Sequence, residues 1–208
     1  MRKAAMGLAI LLLLVLGGLV LLPQFIDLNR FKGPLAAELA ALTGRSIEIG
    51  GPLKLSLLRG PRVTIRDLRL ANPPGAAAKD MVRLRAVEVK LGFWPLLSGA
   101  IEIRRATLIE PDVDIERLPD GKVNWQSDTG STASGASPAT GRTLVLAIDR
   151  LTIQDGAVTY RSGATAERFE HINVSVTLGG PSGPFDATGE LVTRGAALAF
   201  EARSGKID

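Results

Sequence analysis

The chain has 208 residues, of which 46% are apolar and 4% aromatic, with a formal net charge of +4 and no cysteine. The lack of cysteine excludes a disulfide framework, a thiolate metal site and a cysteine nucleophile. The pI is near 9.8, but the basic residues are scattered and aromatic stacking partners are few, which argues against nucleic acid and for contact with anionic lipid head groups.

An unbroken apolar run of 19 residues, Ala4 to Leu22, follows Arg2 and Lys3. As a helix it would be ~28 Å long, close to the ~30 Å hydrocarbon core of a bilayer. A cleaved signal peptide has a shorter apolar core and a small-x-small cleavage site, which this segment does not match. We predict one transmembrane helix at 4–22, with residues 1–3 in the cytoplasm and 23–208 on the other side of the membrane.

The next segment, residues 26–43, predicts a short amphipathic helix. Asp27 or Asn29 can cap its start, its leucines recur at helical spacing, and Gly44 provides a left-handed exit. Gly33 and Pro34 predict a kink, or a restart with the proline in the first turn. This helix either plugs one end of a sheet or lies on the membrane surface.

From Ser46 onward the apolar residues alternate with a period of two, which indicates β-strands. The alternation continues on both sides of Gly50-Gly51-Pro52, and this tripeptide predicts a hairpin turn. Four later segments share the pattern apolar-x-apolar-x-x-apolar-x-apolar, and the three-residue step inside each one predicts a β-bulge that bends the sheet. These segments are 63–70, 82–89, 101–108 and 146–153.

Turn residues predict the remaining organisation. Leu118-Pro119-Asp120-Gly121 predicts a tight hairpin with a return strand from Val123. Residues 127–141 contain almost only Ser, Thr, Gly and Ala and predict a flexible loop. Trp94 and Pro95 interrupt two strands and are turn and packing residues or, for the tryptophan, an interfacial contact with a membrane. Further strands are predicted at 113–115, 158–160, 172–178, 185–192 and 197–202.

Helical patterns are nearly absent beyond residue 44, so a helical layer cannot cover the apolar face of this sheet. The predicted fold is mainly β, a curved antiparallel sheet that forms an elongated hydrophobic groove or closes into a sandwich or barrel. In the groove alternative, the lining residues would contact lipid. They are Ile47, Ile49, Leu55, Leu57, Val63, Ile65, Leu68, Leu70, Leu84, Val87, Val89, Ile101, Ile103, Leu108, Ile148, Leu151 and Ile153.

Signals for catalysis are weak. Asp112, Asp114 and Glu116 alternate with apolar residues, which predicts that they line the solvated polar face of one strand. His171 is the only histidine, so a histidine-rich zinc site is excluded. We expect no catalytic residues, no metal, no cofactor and therefore no enzyme.

Seven short motifs follow the apolar N-terminal run in a fixed order. They are Phe31-Lys32, Thr43-Gly44-Arg45, Gly51-Pro52-Leu53-Lys54-Leu55-Ser56, Leu68-Arg69-Leu70-Ala71-Asn72, Pro95-Leu96-Leu97-Ser98-Gly99, Glu110-Pro111-Asp112-Val113 and Asp120-Gly121-Lys122-Val123-Asn124-Trp125. Their order and spacing resemble the N-terminal region of the AsmA family of bacterial envelope proteins, over about residues 1–125.

The AsmA family is similar to chorein-type bridge proteins, and the resemblance implies an inner-membrane-anchored periplasmic β-groove that moves phospholipid towards the outer membrane. The alternative is an anchored scaffold that assists outer-membrane protein assembly by pairing at its β-edges. Because family members are usually longer, the chain is expected to be a fragment, a truncated relative or a short member.

Overall fold

A computed structural model describes residues 17–18, 27–57, 60–98, 100–119, 121–126, 144–163, 165–179 and 183–205. The transmembrane helix predicted at 4–22 falls outside these residues apart from 17 and 18, and the loop predicted at 127–141 falls wholly outside them. Both therefore stay predictions. Among the described residues, no helix is long and apolar enough to cross a membrane.

The predicted helix at 26–43 consists of a 3₁₀ turn, Leu28–Phe31, followed directly by helix α1, Lys32–Thr43. The Asp27 carboxylate accepts a hydrogen bond from the Asn29 amide at 3.0 Å, and Gly44 ends the helix with φ 68°. Contrary to the prediction, the helix is not amphipathic, because alanine and leucine occupy both the side that faces the sheet and the side that faces away.

The remaining elements form one open, mixed, nine-stranded sheet with the order β1-β3-β4-β5-β6-β7-β8-β9, in which β2 also pairs with β3. The first and last strands of this order do not pair within the described residues, so the closed sandwich and barrel alternatives are wrong. A short helix, α2, Phe93–Leu97, connects β4 to β5. The strands are β1 Ile47–Ile49, β2 Leu53–Ser56, β3 Arg62–Ala71, β4 Asp80–Leu91, β5 Ile101–Arg117, β6 Leu144–Ser162, β7 Thr165–Leu178, β8 Phe185–Thr193 and β9 Ala196–Ser204.

The hairpin predicted at Gly50-Gly51-Pro52 is not present. Strands β1 and β2 run in the same direction along β3, where Ile49 pairs with Leu68 and Leu53 pairs with Ile65. The Gly51 amide donates to the Arg66 carbonyl at 3.0 Å, so the glycines continue the pairing instead of reversing the chain. Alternating apolar residues on both sides of the glycines fit a hairpin and also fit two strands that pair with one partner. The ten-residue β3 is long enough to pair with both segments, and this is the arrangement in the structure.

The sheet also departs from the predicted antiparallel pattern between β5 and β6, which pair in parallel, as in Ile103 with Leu146 and Leu108 with Ile153. The tight turn predicted at residues 118–121 is present, with the Leu118 amide donating to the Lys122 carbonyl at 2.8 Å. The return segment makes only one isolated bridge, Arg117 with Val123. Strand β6 is therefore the next full neighbour of β5.

Bulged steps line up across the sheet. Asp67, Glu110, Asp155 and His171 have positive φ, between 46° and 51°, inside β3, β5, β6 and β7. Asp and His are among the side chains that tolerate this left-handed conformation best. In β4 the matching step, between Leu84 and Val87, lies opposite the one in β3 without a shift of register. Strands β3 to β7 thus bend along one line, which curves the sheet.

Helix α1 and the preceding turn cover the first edge of the sheet. The Asn29 side-chain carbonyl accepts a hydrogen bond from the Leu53 amide at 3.2 Å, and α1 packs against β1. Ile49 and Leu53 are buried beneath them. This arrangement is that of a helix that plugs one end of the sheet.

Candidate functional site

One face of the sheet is apolar from its first edge to its last. Directly paired residues in neighbouring strands point to the same face, and the pairing can be followed from β2 to β9 without a break. Two adjacent rows of paired residues are apolar at every position. The first is Leu53, Ile65, Val87, Leu108, Ile153, Val174, Gly189 and Phe200, and the second is Leu55, Val63, Val89, Ala106, Leu151, Val176, Ala187 and Ala202.

The same face continues beyond the line of bulges towards the other end of the strands. A third row begins at Ile47 in β1 and runs across β3, β4, β5 and β6 into β7. A shorter row lies between it and the bulges. The members are Ile47, Leu70, Val82, Val113, Val158 and Phe169, and Ile49, Leu68, Leu84 and Pro111. We call these four rows together the apolar face.

The opposite face is polar at the matching positions. One row of paired residues lies between the first two apolar rows in register but points the other way, because side chains alternate along each strand. Every member of it carries a hydroxyl or a charge. It consists of Lys54, Thr64, Glu88, Thr107, Thr152, Ser175, Thr188 and Glu201.

No second layer covers the apolar face within the part of the chain that the structure describes. Its aliphatic side chains are mostly half-buried, and the buried residues in its rows are Ile49, Leu53, Pro111 and Ala187. Burial of apolar surface is worth about 25 cal/mol per Å², and an apolar surface of this extent marks an interaction site. The arrangement can therefore bind a long apolar ligand without any specific polar contact.

Most of the seventeen predicted lining residues lie in these rows. Four lie outside the rows, near strand ends or a register shift. Leu57 follows the last residue of β2, and the register shift between β5 and β6 falls at Ile148. Ile103 pairs with Leu91, which is two residues after Val89 and therefore on the same side of the sheet as the second row, and Ile101 pairs with Leu144. The residues in the rows are Ile47, Ile49, Leu55, Val63, Ile65, Leu68, Leu70, Leu84, Val87, Val89, Leu108, Leu151 and Ile153.

The pattern of large aliphatic residues predicts no lining residue in the last three strands, although their alternation predicts the strands themselves. The structure extends the apolar face there through Val174, Val176, Ala187 and Phe200. A Cβ atom on Gly189 would lie 2.6 Å from the Phe200 ring, so the ring fills the space over this glycine. Because Gly189 and Ala187 are small, a pattern of large hydrophobic residues does not reveal that β8 continues the two rows.

The acidic residues of β5 are engaged on the polar face. Asp112 pairs with Arg168 at 3.1 Å and Asp114 pairs with Arg161 at 2.9 Å. The Asp114 side chain is 12% exposed, so it is not solvated as predicted. Its hydrogen bond and its charge raise the pKa of Arg161. No group of three or more His, Cys, Asp or Glu in the described residues is placed to hold a metal ion.

Three of the family-like motifs meet at one end of the sheet. Asn124 is fully buried; its amide group donates to the Asn72 side-chain oxygen at 2.8 Å and to the Asp114 carbonyl at 2.7 Å. Its oxygen accepts from the Glu116 amide at 2.8 Å. Arg45 donates to the Gln126 carbonyl at 3.0 Å. In the sequence these motifs indicate only a family resemblance. They do not predict that their residues join the 72–78 and 118–126 loops to β5.

The chain is similar in sequence to a known protein family. The profile of the AsmA family matches residues 1–203. Protein AsmA of Escherichia coli (strain K12) is 24% identical over 135 residues, which is 62% of this chain and 22% of that protein. The chain thus matches about a fifth of the length of this curated relative. No solved structure shows significant similarity. By the extent of the profile match, the chain is a member of the AsmA family.

Proposed function

We propose that this protein is anchored in the inner membrane, lies mainly in the periplasm and carries phospholipid acyl chains along its apolar face, in support of outer-membrane lipid homeostasis. The observation that carries the proposal is the pair of apolar rows that cross the sheet from β2 to β9 without a polar residue. Membership in the AsmA family supports an envelope-associated function.

The mechanism needs no chemical step. An acyl chain that leaves water gains about 25 cal/mol per Å² of apolar surface, and it gains nearly the same at each strand because the lining is aliphatic throughout. Movement from one strand to the next therefore meets no deep minimum. The head group stays in water at the open side, since the apolar rows offer it no hydrogen-bond partner.

Photo-crosslinking in cells tests this proposal. A photo-crosslinkable residue at Ile65 or Ile103 is expected to capture phospholipid, detected by mass spectrometry of the adduct. The matched controls are Thr64 and Thr107, which lie in the same strands, are also half-buried and belong to the polar row. Equal capture on both faces, or capture of protein alone at Ile65 and Ile103, would contradict the proposal.

A second candidate function is an envelope scaffold that assists outer-membrane protein assembly. The observation in its favour is strand β9, whose outer edge has no pairing partner in the described chain and whose Leu198 is 52% exposed. The open backbone groups of an edge strand can pair with another strand. In this case crosslinks would concentrate along β9 and capture protein, and Ile103→Asp would act only through stability.

A further inference from the structure

The turn between β4 and β5 carries the most exposed large apolar side chain among the described residues. Trp94 is 77% exposed and Phe93 is 48% exposed, and their rings contact each other edge to face with centroids 5.5 Å apart. Contiguous exposed apolar surface can mark a protein or membrane interaction site, and tryptophan is enriched at membrane–water interfaces. Nothing within the described sheet covers these two rings.

Hydrogen bonds tie the described residues of the turn to one another and to β5. The Gly92 amide donates to the Glu102 carbonyl at 2.9 Å, and the amides of Ser98 and Ala100 both donate to the Pro95 carbonyl, at 3.1 and 2.9 Å. The Ser98 hydroxyl donates to the same carbonyl at 2.8 Å. The aromatic rings are thus presented by a fixed support, which lowers the entropic cost of inserting them into a partner.

A row of basic residues lies beside this turn. Arg62, Lys90, Arg105 and Arg150 are paired in sequence across β3, β4, β5 and β6. Like charges directly opposite each other destabilise a sheet, and among the described residues only Arg62 of this row has an acidic partner, Glu88 at 2.9 Å. We call these four residues the basic row. Such a row is stabilised by a surface that carries negative charge.

The position of the turn fits a membrane. The chain enters the sheet through the 3₁₀ turn, beside Leu53. Leu53 and Ser56 pair with the first half of β3. Lys90 pairs with this same half of β3 from the other side and lies next to the turn that carries Phe93 and Trp94, which we call the aromatic turn. At ~4.8 Å between strands, the turn lies about 15 Å from β2 across the sheet. The 3₁₀ turn and the exposed rings therefore lie towards the same end of the strands.

We propose that the aromatic turn and the basic row form a second contact with the bilayer, in which Phe93 and Trp94 enter the head-group region and the basic row binds the phosphates of anionic phospholipid. Tryptophan favours this interface, and basic residues at an anionic membrane surface add to the attraction. The contact rests on the membrane-anchored part of the proposed function. It fixes the angle at which the first strands of the apolar face meet the bilayer.

Tryptophan quenching tests the contact, because the chain has two tryptophans at opposite ends of β5. The full chain is reconstituted into vesicles of phosphatidylethanolamine and phosphatidylglycerol that contain lipids brominated near the head group. Trp125→Phe leaves Trp94 as the reporter. Trp94→Phe leaves Trp125, which is 51% exposed and lies about 50 Å away along the strand, as the matched control.

The Trp94 reporter is expected to be quenched and its emission shifted to the blue, while the Trp125 reporter is not. Lys90→Gln with Arg105→Gln should weaken docking about fivefold for each charge removed and reduce the quenching. Equal quenching of both reporters, or quenching that is unchanged in the double variant, would overturn the contact. Phospholipid capture at Ile65 alongside an unquenched Trp94 would overturn this inference alone and leave the proposed function standing.

Discussion

Asn124 is the polar residue on which one end of the sheet depends. It is buried, and each polar atom of its side chain makes a hydrogen bond of 2.7 to 2.8 Å. A buried asparagine that is fully satisfied specifies one arrangement of the chain, because a shift in any of the three partners would leave a polar group without a bond. The loops that follow β3 and β5 are fixed in this way.

Asn124→Ala should lower the free energy of unfolding by about 3 kcal/mol, since the Glu116 amide and the Asp114 carbonyl lose a partner in a buried site. Urea unfolding of the full chain in detergent measures this. Gln126→Ala is the control, because Gln126 is exposed and Arg45 binds only its backbone carbonyl; it should change stability by less than ~0.5 kcal/mol. Similar losses in both variants would contradict the assigned role.

The ion pair between Arg161 and Asp114 gives an expectation for pH. The hydrogen bond and the charge of Asp114 raise the pKa of Arg161 above its usual value. A base whose folded-state pKa is raised contributes its full stabilisation below the unfolded pKa and loses it only as the pH rises through the folded value. For an arginine both values lie far above neutrality.

The stability difference between the wild-type protein and Arg161→Gln should therefore stay constant from about pH 6 to about pH 10. Urea unfolding at several pH values checks this. A difference that falls steadily as the pH rises through this interval would show that the stabilisation by Arg161 depends on a group other than the guanidinium.

The break between β1 and β2 depends on the size of a glycine. A Cβ atom on Gly51 would lie 2.7 Å from the Arg66 carbonyl oxygen and 2.8 Å from its carbon, and these backbone atoms cannot move away while β3 stays paired. Gly33 in α1 has no atom from outside its helix within 4 Å of the same position. Gly51→Ala therefore tests the close approach of this glycine to β3, and Gly33→Ala is the control that lacks such an approach.

Gly51→Ala should lower the free energy of unfolding by about 2 kcal/mol through this overlap. Gly33→Ala should change it by less than ~1 kcal/mol, because the gain in helix preference is offset by the contact of the new Cβ with the ring of Pro34. Chemical unfolding of the two variants beside the wild-type protein gives both values. A neutral Gly51→Ala would mean that β1 and β2 are not held against β3 as described.

The elements were predictable where the local pattern admits one solution. The three-residue step from Ile65 to Leu68 required a bulge, and Asp67 has φ 51° there. Gly50-Gly51-Pro52 fits a turn or a strand break equally well, and only the length of β3 decides between them. The parallel pairing of β5 with β6 depends on the path of the chain between them, which local alternation does not encode.

The candidate site, too, could be predicted from the sequence only in part. The aliphatic rows could be predicted from β-branched residues at a period of two, but their small members could not, as with Ala187 and Gly189. The convergence of Asn72 and Asn124 joins residues 52 positions apart, which only the folded sheet brings together. The predicted open groove is an open, curved sheet in the structure, because no element after α1 supplies a covering layer to the described strands.

The described part of the chain is a curved sheet that α1 covers at one edge and that has no pairing strand at the other. Eight strand positions lie along the path from β1 or β2 to β9, so the apolar face is about 34 Å long. Half the hydrocarbon core of a bilayer, the reach of one acyl chain, is ~15 Å. The face is therefore longer than one acyl chain. A site that only binds one lipid would not need this length, whereas a path along which lipid moves would.

We propose that acyl chains occupy the whole apolar face, and photo-crosslinking along one row of it decides whether they do. Photo-crosslinkable residues are placed one at a time along the first row, with partners in the polar row of the same strands as controls. Phospholipid adducts are expected at every apolar position and at none of the polar ones. Adducts confined to the strand nearest α1, or equal on both faces, would contradict it. The positions are Ile65, Val87, Leu108, Ile153 and Val174, with controls at Thr64, Glu88, Thr107, Thr152 and Ser175.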